Sequence, residues 1–157
     1  MGRRRVVQHD VEVAAPAPDV WDRVTDPAGI NHEMRPWLTM TMPRALRGTT
    51  LRDVELGRPL GRAWLRLFGL VPFDADHLTV VELDPGRRFL ERSTMLSMRL
   101  WEHERTLTPT TRGTQVRDRV TLEPRLPVPG SAALMARVVD AFFAHRQRRL
   151  RTYFARR

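Results

Sequence analysis

The sequence predicts an α+β fold with seven β-strands and a long C-terminal helix, two short helices after the first strand, and a further amphipathic helix near residues 58–69. Three observations carry this expectation. Much of the chain alternates apolar and polar residues with period two, whereas its C-terminal part repeats every three to four residues. The charges in "RLWEHERTL" and "TQVRDRVTL" also fit each other as the two arms of one hairpin.

A chain of 157 residues fits a single domain, 1–157, long enough to bury roughly two thirds of its unfolded surface in one core. With no Cys there is no disulfide framework, thiolate nucleophile or Cys-ligated zinc. The net charge is +9, but all 27 basic residues are Arg and none is Lys. That one-sidedness points to the codon usage of a GC-rich genome more than to phosphate contacts, and excess charge acts mainly on solubility and nonspecific association. The start "MGRRRVVQHDVEV" is charged without a following apolar segment, and no window approaches the roughly 18–20 apolar residues of a membrane span. A cytoplasmic protein without stable membrane insertion is expected.

The first strand is "RVVQHDVEV", with Val7, His9, Val11 and Val13 on one face. In "AAPAPDVWDRVTDPAGINHEM", Pro18 can start a helix, and Asp26-Pro27 ends it and opens a second short one. "RPWLTMTMP" reads as strand two and "TTLRDVEL" as strand three. In "GRPLGRAWLRLFGLVP", Leu60, Trp64, Leu67, Phe68 and Val71 follow helical spacing opposite a stripe of Arg58, Arg62 and Arg66, with Pro59 suited to the start and Gly69 to the stop. "DHLTVVELD", the turn Pro85-Gly86 and "RFLERST" form a hairpin, followed by "MRLWEHERTLTP" and "TQVRDRVTLEP". The final helix runs through "GSAALMARVVDAFFAHRQRRLRTYF", with Ser131 as N-cap and Met135, Val138, Val139, Phe142, Leu150 and Tyr153 or Phe154 on one side.

The last hairpin's register follows from its charges. With a loop at residues 110–113, Leu107 faces Val116, Arg105 faces Asp118, His103 faces Val120, Trp101 faces Leu122 and Glu104 faces Arg119. A slip of one residue would oppose Glu104 to Asp118 and Arg105 to Arg117, each pair unfavourable by about 0.2–1 kcal/mol. Val116, Val120 and Leu122 mark the inward face, so Trp101, His103, Arg105 and Asp118 share it. A buried charge pairs, changes protonation or keeps water beside it. The mixed inward row therefore reads as a pocket wall, an apolar lining with a few convergent polar groups.

The order of elements resembles the START-like or SRPBCC superfamily, which includes polyketide cyclase and dehydrase relatives. "VEVAAPAPDVWDRVTDP", "FLERSTMLSMRLWEHERTL" with its Trp-x-His, "GTQVRDRVTLEPRLP" and "FFAHRQRRLRTYF" carry the likeness, in the family's order. The resemblance implies a helix-grip fold, a curved seven-stranded antiparallel sheet around the long helix with an elongated cavity between them. It also implies a small hydrophobic or aromatic ligand, lipid- or polyketide-like. Only Trp101, His103 and Asp118 match positions of the family's pattern, and no catalytic residue is shared across the superfamily, so the fold assigns no reaction. The Arg-striped helix at 58–69 departs from the simplest members.

The leading expectation is a ligand-binding protein with Trp101, Met95, Trp37, Phe142 and Val120 as lining and His103, Arg105 and Asp118 as orienting groups. Trp64 and Phe68 are candidates for an entrance gate or a membrane-touching face, although a core stripe is the commoner use of their spacing. The alternative is a cyclase or dehydratase using His103 as general acid or base; the commoner role of such a histidine is structural. Arg105 with Asp118 could be a cross-strand pair, a ligand clamp or both. An Arg-driven nucleic-acid or membrane-surface module ranks last, because "HRQRRLRTYFARR" also reads as a solvated helix face and no nucleic-acid module accompanies it. "DADH" at residues 74–77 sets Asp74 and Asp76 on one face and His77 on the other, without a matching ligand set, so neither metal nor cofactor is expected. Oligomeric state is open, a homodimer included.

Overall fold

Alternating burial along β1 (Arg5–Val13), with Val7 and Val13 buried, starts a seven-stranded antiparallel sheet in the order β1-β7-β6-β5-β4-β3-β2. The computed structural model describes residues 3–49 and 51–157. After β1 come α1 (Ala17–Thr25) and α2 (Pro27–Met34), then β2 (Leu38–Met40), β3 (Pro59–Leu67), β4 (Val71–Asp84), β5 (Arg88–Met95), β6 (Met98–Thr110), β7 (Gly113–Pro124) and α3 (Ser131–Ala155). The curled sheet packs against the long C-terminal helix, and two short helices follow the first strand, which is the helix-grip arrangement.

Asp26 is the hinge between the short helices. Its carboxylate accepts from the Gly29 amide at 3.3 Å and caps α2, while Pro27 occupies the first turn, where no amide hydrogen is needed. Asn31 then docks α2 on β2 through a reciprocal amide pair, Nδ2 to the Met40 carbonyl at 3.0 Å and Met40 N to Oδ1 at 2.7 Å. Gly29 allows α1 and α2 to approach, since a Cβ there would stand 1.9 Å from the Arg23 carbonyl oxygen.

The charge-based register of β6 and β7 is the one observed, with Arg105 opposite Asp118, His103 opposite Val120 and Glu104 opposite Arg119. The ladder continues to Thr110 opposite Gly113, so the loop is shorter than expected. On the outer face Arg88 pairs with Glu104 at 2.5 Å and Arg92 with Glu102 at 3.2 Å.

Two expected elements are corrected. Residues 58–69 do not form a helix; Pro59–Leu67 is a strand between β2 and β4. The helical stripe coexists there with a period of two, Ala63 and Leu65 buried while Arg62, Trp64 and Arg66 face outward, and pairing with both neighbours selects the strand. Gly69 ends no helix. With Phe68 it adopts left-handed φ (53° and 74°) and turns the chain into β4. "TTLRDVEL" is not a strand, because β3 fills the place expected for it; Leu51–Asp53 is a short 3-10 turn and Thr50 lies outside the described residues. The N-cap of α3 is Gly130 (φ 83°) instead of Ser131, whose hydroxyl donates to the Leu126 carbonyl at 3.2 Å.

The core has two parts. Val13, Val20, Trp21, Leu107, Val116 and Leu150 close the end near α1, and Val7, Met34, Leu65, Val120 and Phe143 surround the other. Among the described residues no helix is long and apolar enough to cross a membrane.

Candidate functional site

β6 and β7 set Arg105 and Asp118 side by side, and a guanidinium with five donors cannot be satisfied by one carboxylate. The second comes from α2. Arg105, wholly buried, donates through Nε and Nη2 to Asp118 (2.7 and 2.9 Å) and through Nη1 and Nη2 to Glu33 (2.9 and 3.0 Å). α3 adds Arg146, whose Nε reaches Glu33 at 3.2 Å, and Gln147, whose amide reaches Asp118 at 3.0 Å and the His9 carbonyl at 2.8 Å. The cluster balances two carboxylates against two guanidiniums, which is what permits its burial.

His103 joins this cluster to the pocket. Its Nε2 lies 2.7 Å from Asp118, and its ring meets Phe89 and Phe143 edge to face. Burial pushes the imidazole below its ordinary pKa, against the opposing pull of Asp118. Burial also opposes ionisation of Asp118, but Arg105 and His103 outweigh it and hold the carboxyl well below its usual range. Desolvation likewise works against the Arg105 charge, and the two carboxylates more than offset it, so its pKa is raised. Asp118 therefore accepts from Nε2–H, and the neutral ring keeps its lone pair on Nδ1.

Between sheet, α2 and α3 lies a pocket of about 730 Å³, with a predominantly apolar lining. Trp37, Met95, Trp101, His103 and Phe142 line it, as do Met135 and Val138 of α3. Arg105, Asp118 and Val120 stand behind that wall. With four donor contacts already made to Glu33 and Asp118, Arg105 serves as a brace between strands and helix and has little left for a ligand. Trp64 and Phe68 are not brought to the pocket either. Trp64 lies on the outer face of β3 beneath the Arg62 guanidinium (5.5 Å), and Phe68 sits at the hairpin tip, 6.2 Å from Trp37.

Sequence reasoning missed Glu33, Arg146, Gln147 and Glu91. Arg105's unspent donors were the available signal for Glu33, and the spacing Val139, Phe143, Arg146, Gln147, Leu150, a helix face that is buried throughout, could have revealed two more. Asp74, Asp76 and Glu91 also line the pocket, the first two on one face as their spacing predicts. Burial raises the Asp76 carboxyl, and burial followed by repulsion from Asp76 raises Glu91 well above the ordinary range.

A raised carboxyl pKa means that the folded state holds a proton the unfolded state has released. Stability from this pair is thus greatest below the unfolded value of about 4.3 and falls as pH rises through the folded pKa. Glu91→Gln is expected to flatten that decline in urea melts run between about pH 4 and 8. An unchanged slope would mean that Glu91 ionises freely in the folded protein.

Comparison with known proteins agrees with this architecture. No curated protein matches the sequence. Among solved structures, the ZhuI aromatase/cyclase from Streptomyces sp. R1128 is similar at 21% identity and TM-score 0.70, covering 98% of this chain and 95% of its own. A START superfamily protein from Mycobacterium smegmatis gives 16% identity and TM-score 0.69 over 96% and 97% of the two chains. Ara h 8.0201 gives 9% and 0.66 over 98% and 99%. At these identities the likeness concerns the fold, which is START-like, as the order of elements predicts. A family model described as "Domain of unknown function (DUF8410)" matches residues 11–154, and the chain belongs to that family.

Proposed function

We propose that the protein binds a small apolar or aromatic molecule in the pocket between the sheet and α3. The observation that carries this reading is the pocket itself, about 730 Å³ of space between the sheet and the helices. Cavities of a few hundred to about 1,000 Å³ with apolar walls and few polar groups are the usual form of small-molecule sites. Trp101 and Phe142 offer aromatic surface, Met95 and Met135 adaptable thioethers, and His103 a neutral hydrogen-bonding ring. The START-like fold and the aromatase/cyclase among its structural neighbours support the same ligand class. Native mass spectrometry of the purified protein is expected to reveal a co-purifying lipid or aromatic compound. A protein that stays empty and takes up no hydrophobic dye would sink the reading.

A second reading makes the protein an enzyme of the cyclase or dehydratase type, with His103 as general base or acid. It is favoured by the Asp118–His103 bond, which fixes the tautomer of a ring on the pocket wall. His103→Ala should then retain ligand but lose turnover by about 10²-fold or more. An unaffected rate would remove the mechanism and leave binding as the function.

A further inference from the structure

On β5 and β4, the two strands beyond His103, the pocket wall holds a second polar group with a different character. Asp74 is satisfied: its Oδ1 accepts from the Ala75 and Ser97 amides at 2.8 and 3.3 Å, and its Oδ2 from the Ser97 hydroxyl. Asp76 is not. It is only 2% exposed, yet its Oδ1 accepts no hydrogen bond, although the side chain faces the pocket. The Glu91 carboxyl and the Ser93 hydroxyl lie within hydrogen-bonding reach of Asp76, and Glu91 also takes a long contact from Ser93 at 3.4 Å, so the unmet acceptor of the pair is Asp76 Oδ1. The Arg146 guanidinium is bound to Glu33, and among the described residues no cation pairs with Asp76 or Glu91.

An orphaned buried acceptor has lost its water without gaining a partner, and it calls for a donor. The pocket is the side from which one can arrive. We propose that Asp76 and Glu91 form the polar end of the pocket and hold the ammonium group of an amphiphilic amine, whose apolar or aromatic body fills the remaining volume. This rests on the ligand-binding reading above and specifies its ligand class. An ammonium brings three donors and the charge that the two carboxyls lack, a hydroxyl brings one donor and no charge, and a carboxylate ligand would meet like charge.

Proton linkage gives the proposal a direction. Unliganded, the pair retains a proton because burial and mutual repulsion disfavour two charges. The titratable and charged groups around it are Asp74 and His77 on β4, His103 on β6 and Arg146 on α3. An arriving ammonium replaces that proton, so amine affinity rises with pH until the amine itself deprotonates near about pH 10.

The test is displacement of the neutral dye N-phenyl-1-naphthylamine from the full-length protein by decylamine, decanol and decanoate, which share one chain length. Decylamine is expected to bind at least about tenfold tighter than decanol at neutral pH, with decanoate weakest. Asp76→Asn and Glu91→Gln should each collapse the ratio of decylamine to decanol affinity, measured within the same variant, to within about threefold of one. Decanol or decanoate matching decylamine in the unmodified protein overturns the proposal however the variants behave. If dye and decanol bind without any amine preference, the amine site alone falls; if neither dye nor any of the three binds, the pocket reading falls with it.

Discussion

Arg105→Met is expected to destabilise the protein by about 3–5 kcal/mol in urea unfolding, because it leaves two buried carboxylates without their shared counter-charge. Arg105 is fully buried, and Glu33 and Asp118 are each 1% exposed, so water cannot substitute for the lost donors. The double variant Arg105→Met with Glu33→Gln should recover part of the loss, since one stranded charge disappears and Arg146 still faces the amide. The linkage has a definite sign. The folded pKa of Asp118 is depressed, so its contribution is present above the unfolded value of about 3.9 and is lost as pH falls through the folded value. Arg105→Met should therefore weaken the protein most near neutrality and least in strong acid. A loss under about 1 kcal/mol would show the network to be wet and its charges cheaply resolvated.

Gly29→Ala is expected to be comparably damaging, about 3 kcal/mol or more, through overpacking against backbone that has no side chain to move aside. The added Cβ would stand 1.9 Å from the Arg23 carbonyl, so α2 must shift away from α1. Glu33 lies one helical turn further along α2 and must shift with it, lengthening its bonds to Arg105 and Arg146. Thermal melts should show a lowered midpoint, and coupling to Arg105→Met should be less than additive because both changes break the same bonds. Full additivity would mean that α2 absorbs the clash without moving Glu33.

The sequence made the β6–β7 hairpin legible because opposite charges occupy facing positions, so one register satisfies all of them and its neighbour none. It also exposed the face shared by His103, Arg105 and Asp118, since period-two alternation is unambiguous once Val116, Val120 and Leu122 fix the inside. β3 was illegible for the opposite reason. Leu60, Trp64 and Leu67 suit a helix, Ala63, Leu65 and Leu67 suit a strand, and only pairing with β2 and β4 decides. Glu33 stayed hidden because its partner is 72 residues away and α2 has little apolar patterning of its own. The Asp76–Glu91 pair combines two strands whose bulged register near Val80 no pattern in either segment announces.

The separation of Arg105 from the pocket surface has an evolutionary consequence. The bonds that fasten α2 to the sheet, Arg105 with Glu33 and Asp118, lie behind the imidazole of His103, and the apolar side chains that meet the empty space lie in front of it. Lineages of this chain can therefore exchange Trp101, Met95 or Met135 to suit a new guest without loosening the scaffold. Exchanges at Arg105, Asp118 or Glu33 would have to be concerted, so these three should drift together or stay put.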